Sequence, residues 1–437
     1  MSERWSNAWS QAWYPVAFLR DLDRKAPQRF TLLGQPLVIW FDRHQDLWRA
    51  FVDQCPHRLV PLSEGRLSDD GHLECPYHGW RFEGNGQCTL IPQAAKGSAL
   101  PRAARCNSLA TRSAQDLLFV FSGTPELAAT RPLPLVPLLD EPGWVVQDTF
   151  RDLPYDAVTL LENVLDVSHV PFTHHGTVGR RSNSGPVELE LVKEGSTGFT
   201  GIWQEGPRQG RLGTQHTTFI APALMWHDLT AQGFARILTV VYATPIQPGQ
   251  CRLFARFPFQ FQQKLTARLF TLRPQWLQHI GNHRVLEDDQ IFLHYQERDV
   301  ERGGGSANYA KSCLLPTTSD RYVLALHGWI NRHGGVPFPN DTLPPKERSL
   351  EQLLDRYDSH TKYCRSCSVA LRRLQSFRQL GPVLITLALT ALALTASSLM
   401  IQLGLIAMIV VLLLALRQAA IWELGLTRGN RHPPRNA

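Results

Sequence analysis

The chain has 437 residues, of which 43% are hydrophobic and 19% charged; that is enough length and apolar content for about three domains with cores of their own, and it excludes wholesale disorder. Lys and Arg outnumber Asp and Glu by 45 to 38, but the basic residues are scattered, with no dense run to track a phosphate backbone, so nucleic acid is excluded as the partner. Eight cysteines are too few for a disulfide scaffold, and the opening segment lacks the basic, apolar and small-residue sections of a secretory signal, which points to a reducing compartment.

Residues 29 to 52 hold short β-rich stretches separated by turn signals such as Gly34-Gln35-Pro36, and residues 116 to 123 (DLLFVFSG) read as another strand. Residues 1–125 are expected to form an all-β domain. Within it stand Cys55-Pro56-His57 and, seventeen residues on, Cys75-Pro76-Tyr77-His78. A zinc finger pairs cysteine with cysteine and histidine with histidine along the chain. Here each loop offers one of each, which suits a two-iron cluster with both cysteines on one iron and both histidines on the other. Pro56, Pro76 and Gly79 fit tight loops that aim backbone N–H groups at cluster sulfurs. The segment resembles a Rieske [2Fe-2S] domain, and the resemblance implies Cys55, His57, Cys75 and His78 as cluster ligands. Two neutral imidazoles in place of two thiolates raise the potential, so such a cluster accepts an electron from a low-potential donor.

From about 145 to 175 the pattern turns helical around LLENVLDVSHV, then becomes strand-like at 196 to 204, 215 to 227 and 236 to 258, the last broken by a hairpin turn at Gln247-Pro248-Gly249-Gln250. Residues 262 to 299 have helical period with a break at Pro274, and Gly303-Gly304-Gly305 is a loop. Residues 126–345 are therefore expected to be α+β, an antiparallel sheet with long helices of helix-grip type. On a regular helix Asp166 and His169 lie about 60° apart and share a face, whereas His174 is turned off it. For both histidines to bind one ion the helix must distort, and Pro171 supplies a reason. Two histidines and one carboxylate with open positions form the ligand set of non-haem Fe(II) oxygenases.

Behind a Rieske segment, this pattern resembles the Rieske non-haem iron oxygenases. That resemblance implies His169 and His174 as iron ligands and Asp166, with Asn163 beside it, as the catalytic pair, Asp166 bridging the iron site to the cluster histidine of a neighbouring subunit. The third ligand is expected at Asp289, with Asp288 its rival; an acidic residue before Asp289 and Gln296 seven after it match the family's pattern. His175 reads as a loop or supporting residue.

Residues 346–380 form a further helical segment carrying Cys364-Arg365-Ser366-Cys367, and Pro382 to Leu416 contain no charged side chain. Ser397, Ser398, Gln402 and Gly404 divide that run, and each half is close to the lower limit for crossing a bilayer. Arginines flank both ends, Arg372, Arg373 and Arg378 before and Arg417, Arg428, Arg431 and Arg435 after. Both flanks therefore prefer the cytoplasmic side, which a two-helix membrane hairpin over 381–416 followed by a basic tail, 417–437, satisfies. The alternatives are one long span or an interfacial helical pair. Cys88, Cys106, Cys251 and Cys313 are expected in the core.

WYPVAFLRDLD near the start, CPHRLVPLSEGRL, CTLIPQ and Tyr363-Cys364-Arg365-Ser366-Cys367 together resemble the pheophorbide a oxygenase branch, with its translocon-associated Rieske proteins and a protochlorophyllide oxygenase. The resemblance implies a membrane-anchored oxygenase acting on a hydrophobic, chlorophyll-derived tetrapyrrole, with a [2Fe-2S] cluster, mononuclear Fe(II), ferredoxin as donor and a head-to-tail homotrimer. It also implies thioredoxin as reductant of a Cys364–Cys367 redox switch; the alternative is two ordinary thiols. With no plastid transit peptide in front, the expected location is the cytoplasmic side of a cyanobacterial thylakoid or plasma membrane. No GxGxxG or P-loop is present, so electrons must come from another protein. A different reading keeps the metals but drops the oxygenase: a membrane-bound Rieske electron carrier or redox sensor, which has no need of His169, His174 and Asp289. A third, a translocation-associated subunit, predicts stable partners and no O2 uptake.

Overall fold

The computed structural model describes residues 8–207, 212–231, 234–346, 349–394, 398–430 and 435. The chain divides into two compact units, Met1–Leu272 with Phe292–Glu347, and Arg273–Ile291 with Arg348–Ala437.

The first unit opens with strands β1 (Trp13–Phe18), β2 (Gln28–Leu32), β3 (Gln35–Asp42), β4 (Leu47–Val52), β5 (Arg66–Leu67), β6 (Leu73–Glu74), β7 (Arg81–Phe82), β8 (Cys88–Leu90), β9 (Ser108–Leu109), β10 (Thr111–Ala114) and β11 (Leu117–Phe121). They pair as three small antiparallel sheets, β1-β11-β10, β2-β3-β4-β9 and β5-β6-β7-β8. Val38, Trp40, Phe51, Leu62, Leu73 and Phe82 form one core with Cys55, Cys75, Cys88 and Cys106. Each large apolar side chain so buried contributes about 1.5–3 kcal/mol. Cys88, Cys106 and Cys251 are core residues as expected, but Cys313 is only half-buried.

After a short helix α1 (Pro125–Thr130) comes β12 (Trp144–Leu153), then helices α2 (Ala157–Leu165) and α3 (Val170–Thr173), then β13 (Glu190–Gly195), β14 (Gly198–Trp203), β15 (Leu212–Ile220), β16 (Leu224–Ala231), β17 (Phe234–Gln247) and β18 (Gln250–Phe261). These seven strands make one antiparallel sheet, β12-β18-β17-β16-β15-β14-β13, so the α+β class holds. The helical expectation from residue 145 is corrected: 144–153 is an edge strand paired along its whole length with β18. The pairing has a chemical basis. Arg252 and Arg256 on β18 stand opposite Asp152 and Asp148 on β12, with N···O distances of 2.6 and 2.8 Å. The stretch 215–227 is likewise two strands rather than one, β15 and β16 joined by a turn. The Gln247–Gln250 hairpin stands as read, with Gly249 at φ 70°, a left-handed conformation that glycine adopts without strain. Helices α4 (Lys264–Thr271) and α5 (Gln275–Arg302) flank Pro274, and α6 (Gly305–Ser312) and α7 (Arg321–Trp329) follow. The second half of α5 belongs to the first unit.

The second unit contains the first half of α5, a short α8 (Leu350–Leu353) opened by a Ser349–Gln352 capping box, a π-type turn Tyr357–Thr361, and helices α9 (Arg365–Leu394) and α10 (Leu399–Thr427). Arg356 holds Glu287 through two N···O contacts of 2.7 and 2.6 Å and also donates to the Gly425 carbonyl at 2.5 Å. Both α9 and α10 are long and apolar enough to cross a membrane. They pack on each other where Gly381 meets Leu416, since a Cβ at 381 would collide with a Leu416 methyl. Arg378 pairs with Glu423. Gln402 and Gly404 lie inside α10 rather than at the division, and Ser398 occupies the N-cap position of that helix without a side-chain capping bond; Ser397 and Arg431 fall outside the described residues.

Candidate metal centres

The two Cys/His loops are built alike. The Cys55 N–H donates to the Val60 carbonyl at 2.9 Å, and the Cys55 carbonyl accepts from Leu59 N–H. In the other loop Cys75 N–H donates to the Trp80 carbonyl at 2.8 Å, and the Cys75 carbonyl accepts from Gly79 N–H. Leu59 at φ 61° and Gly79 at φ 71° close the two turns. The proline after each cysteine suits these turns because its φ is already fixed.

These turns bring the four side chains together. The Cys55 and Cys75 thiols hydrogen-bond to each other, which draws Cys75 down to about 6 against burial and pushes Cys55 far up. The His57 and His78 rings have centroids 4.6 Å apart, and His57 stacks on Trp80 at 6°. His57 Nδ1 is buried with no hydrogen-bond partner among the described residues, which fits a ring nitrogen reserved for a metal. The donor chemistry therefore fits a Rieske cluster.

The second arrangement starts where α2 ends. Asp166 is its C-terminal cap, with extended φ and ψ of −76° and 101°, and α3 begins only at Val170 with His169 before it and Pro171 in its first turn. The expected distortion is present, but it falls ahead of His169; Pro171 starts the new turn instead of breaking an old one, since its fixed φ suits a first helical position. Asp166 and His169 therefore do not share a helical face. Instead His169 Nδ1–H donates to the Asp166 carbonyl at 2.5 Å. That bond leaves Nε2 with the lone pair.

His169 Nε2 and His174 Nε2 lie 3.2 Å apart. Two imidazole nitrogens each about 2.1 Å from one ion, at an angle of 90–109°, lie about 3.0–3.4 Å apart, so the pair fits a shared metal. The Asp166 carboxylate accepts from Ser168 N–H at 2.8 Å and Ser168 Oγ at 2.6 Å and remains 32% exposed. Asn163 is half-buried on α2, and His175 is a half-buried loop residue whose Nδ1 accepts from Arg181 N–H at 3.2 Å. Asp288 and Asp289 are both buried on the first half of α5, in the second unit.

Residues with no signature in the sequence hold α2 in place. Glu162 accepts from Tyr309 at 2.6 Å and Gln296 at 2.8 Å, and His327 lies 3.3 Å from its other oxygen. Burial and then the Glu162 carboxylate push the Tyr309 phenol far above its ordinary range, so it stays a donor. His227 Nε2–H donates to the Val164 carbonyl at 2.9 Å while its Nδ1 accepts from Thr217. Burial, the largest influence, pushes His227 from 6.5 down to about 4.

A depressed histidine contributes stability that is present above its unfolded value and is lost as pH falls from 6.5 toward 4. Wild type should therefore lose up to about 3 kcal/mol over that window relative to His227→Gln, read as converging thermal-unfolding curves. Parallel pH profiles of the two proteins would remove this role.

Comparison with known proteins agrees with this geometry. A Rieske [2Fe-2S] domain profile matches residues 12–111, and a pheophorbide a oxygenase profile matches residues 219–307. The chain is 36% identical over 404 residues to pheophorbide a oxygenase, chloroplastic, of Arabidopsis thaliana, covering 85% of this chain and 74% of that one. It is 31% identical over 441 residues to flavonoid 8-hydroxylase 2, chloroplastic, of Ocimum basilicum, covering 93% and 82%. Protochlorophyllide-dependent translocon component 52 of Arabidopsis thaliana matches at 31% over 427 residues, covering 84% and 74%. Among solved structures, dicamba monooxygenase bound to dicamba shares the fold, with a TM-score of 0.61 at 21% identity over 75% of this chain and 98% of that one. An N-terminal β domain with paired Cys/His loops, a seven-stranded sheet, a facing imidazole pair at the two ends of α3, and these relatives agree: the chain belongs to the pheophorbide a oxygenase family of Rieske non-haem iron oxygenases.

Proposed function

We propose that this oxygenase acts on a hydrophobic, chlorophyll-derived tetrapyrrole with electrons from ferredoxin, as a homotrimer anchored by α9 and α10 with its catalytic domains on the cytoplasmic side, in a cyanobacterial membrane. The observation that carries the substrate class is the 36% identity, over most of both chains, to a pheophorbide a oxygenase. Arginines on both flanks of the apolar run support the orientation. Net positive charge supports an acidic donor such as ferredoxin.

In this reading Cys55, Cys75, His57 and His78 would hold the [2Fe-2S] cluster, the two cysteines on one iron and the two histidines on the other. His169 and His174 would hold the mononuclear iron, and the family resemblance gives Asp289, rather than Asp288, as the carboxylate that would complete the set. When bound, these groups supply one-electron storage and the redox chemistry of O2 activation. The protein's part is positioning. The Asp166 carbonyl sets the His169 tautomer, His227 pins the end of α2 through Val164, and Glu162 anchors α2 to Tyr309 and Gln296. The partly exposed Asp166 carboxylate is the group that would reach a neighbouring subunit's cluster histidine, and Asn163 lies three residues before it on the same segment. A pure electron carrier has no use for the facing imidazoles of His169 and His174, which favours the oxygenase over that alternative.

The test is O2 uptake by the full-length protein with ferredoxin and its reductase, against pheophorbide, protochlorophyllide and a flavone, with His169→Ala as the blank. At least tenfold stimulation by a tetrapyrrole, with label from 18O2 in the product, is expected. Turnover of the flavone alone would transfer the substrate class to that of the basil relative, and equal uptake by the blank would remove His169 from the chemistry. A second arm, Asp166→Ala, keeps the backbone carbonyl that orients His169. It should therefore retain both metals yet lose single-turnover electron transfer to iron; retained transfer removes the bridge.

A further inference from the structure

The second unit holds a cluster that the oxygenase chemistry does not use. His279 on α5, His360 in the π-type turn, Cys364 just before α9 and Cys367 in its first turn place four donor atoms within 4.8 Å of one another. His279 Nδ1 lies 3.0 Å from His360 Nε2 and 3.3 Å from Cys367 Sγ. Cys364 Sγ lies 3.6 Å from His279 Nδ1, and Cys367 Sγ lies 3.4 Å from His360 Nε2. Around a tetrahedral zinc with Zn–S about 2.3 Å and Zn–N about 2.05 Å, the edges are about 3.3 Å for N–N and about 3.6 Å for N–S. Each of these four edges is within a few tenths of an ångström of these values.

Burial and charge agree with the distances. Exposure is 2% for His279, 1% for His360 and zero for both cysteines. Two thiolates buried alone would be costly, but two thiolates, two neutral imidazoles and one dication sum to zero. The backbone presents the donors as a unit: Cys364 N–H donates to the His360 carbonyl at 3.0 Å, and Ser368 N–H to the Cys364 carbonyl at 2.9 Å. Three of the four ligands therefore come from one short segment, and α5 supplies the fourth. Four protein ligands leave no open position, which is the arrangement of a structural site.

We propose that His279, His360, Cys364 and Cys367 form a closed, tetrahedral zinc site that ties the start of α9 to α5. Mixed thiolate and imidazole donors in tetrahedral order select zinc among the abundant divalent ions. A Cys364–Cys367 disulfide would remove two of the four ligands, so the zinc site and an oxidised switch are mutually exclusive states of one pair. Thioredoxin would also have to open the unit to reach thiols with no exposed surface. This inference is independent of the substrate proposed above.

The experiment uses full-length protein purified in detergent without chelators, with metals counted by mass spectrometry. Wild type should carry one zinc per chain beside its iron. The double variant Cys364→Ser/Cys367→Ser and the single variant His279→Ala should each lower zinc at least tenfold while the Rieske EPR signal, the check on folding, is unchanged. Should those variants not fold, wild type grown with cobalt in place of zinc should show thiolate-to-cobalt charge transfer in the near ultraviolet and tetrahedral ligand-field bands in the visible. Zinc at background in wild type, zinc retained in the double variant, cobalt protein without those bands, or a Cys364–Cys367 disulfide in freshly purified protein would each overturn the proposal.

Discussion

His169→Ala should lose its mononuclear iron and its turnover while keeping the Rieske EPR signal. His169 Nε2 faces His174 Nε2 at 3.2 Å, and its orientation comes from the bond between its own Nδ1–H and the Asp166 carbonyl. Loss of a residue that merely orients a ligand typically costs 10–100-fold in metal affinity or activity, so loss of the ligand itself should cost more than about a hundredfold. The fold should survive. The side chain is 16% exposed, and the lost hydrogen bond contributes about 1 kcal/mol. The cluster loops, by contrast, close on their own backbone bonds and do not depend on His169. Iron analysis combined with EPR separates the two centres; full iron content in the variant would refute the assignment.

Arg356→Ala should be the most damaging single change in the second unit. Arg356 and Glu287 are 4% and 2% exposed in their side chains, and the pair is bidentate. Glu287 also accepts from Asn430 N–H at 3.1 Å. Removing the guanidinium leaves a buried carboxylate without its countercharge, which costs about 3–5 kcal/mol. That corresponds to a fall of roughly 13–22 °C in the unfolding midpoint of a unit this size, read by circular dichroism in detergent. The double variant Glu287→Met/Arg356→Met removes both charges and should recover most of the loss, because apolar groups of similar volume replace a buried ion pair at little cost. A single variant as stable as wild type would show that the pair is solvated.

The features legible from sequence are those whose parts lie close along the chain. Each Cys/His loop places two donors within one tight turn, so Cys55 with His57 and Cys75 with His78 could be read from spacing alone. The charge-free run was legible because a segment long and apolar enough to cross a bilayer has to satisfy its own backbone polar groups, which favours helix. Pro274 and the Gln247–Gln250 hairpin were legible because proline and glycine restrict or free the local dihedrals wherever they stand.

What only the tertiary structure decided is everything that depends on partners distant in the chain. Residues 144–153 carry no strong strand period, and they are a strand because β18, about a hundred residues later, offers arginines in register with Asp148 and Asp152. His227 and Tyr309 are single polar residues with no spacing to mark them; their roles appear once burial forces each to find a partner. The same reason hid the companions of Cys364 and Cys367, since His279 and His360 stand 81 residues apart. A motif of two thiols reads as a redox pair until folding brings two imidazoles beside it.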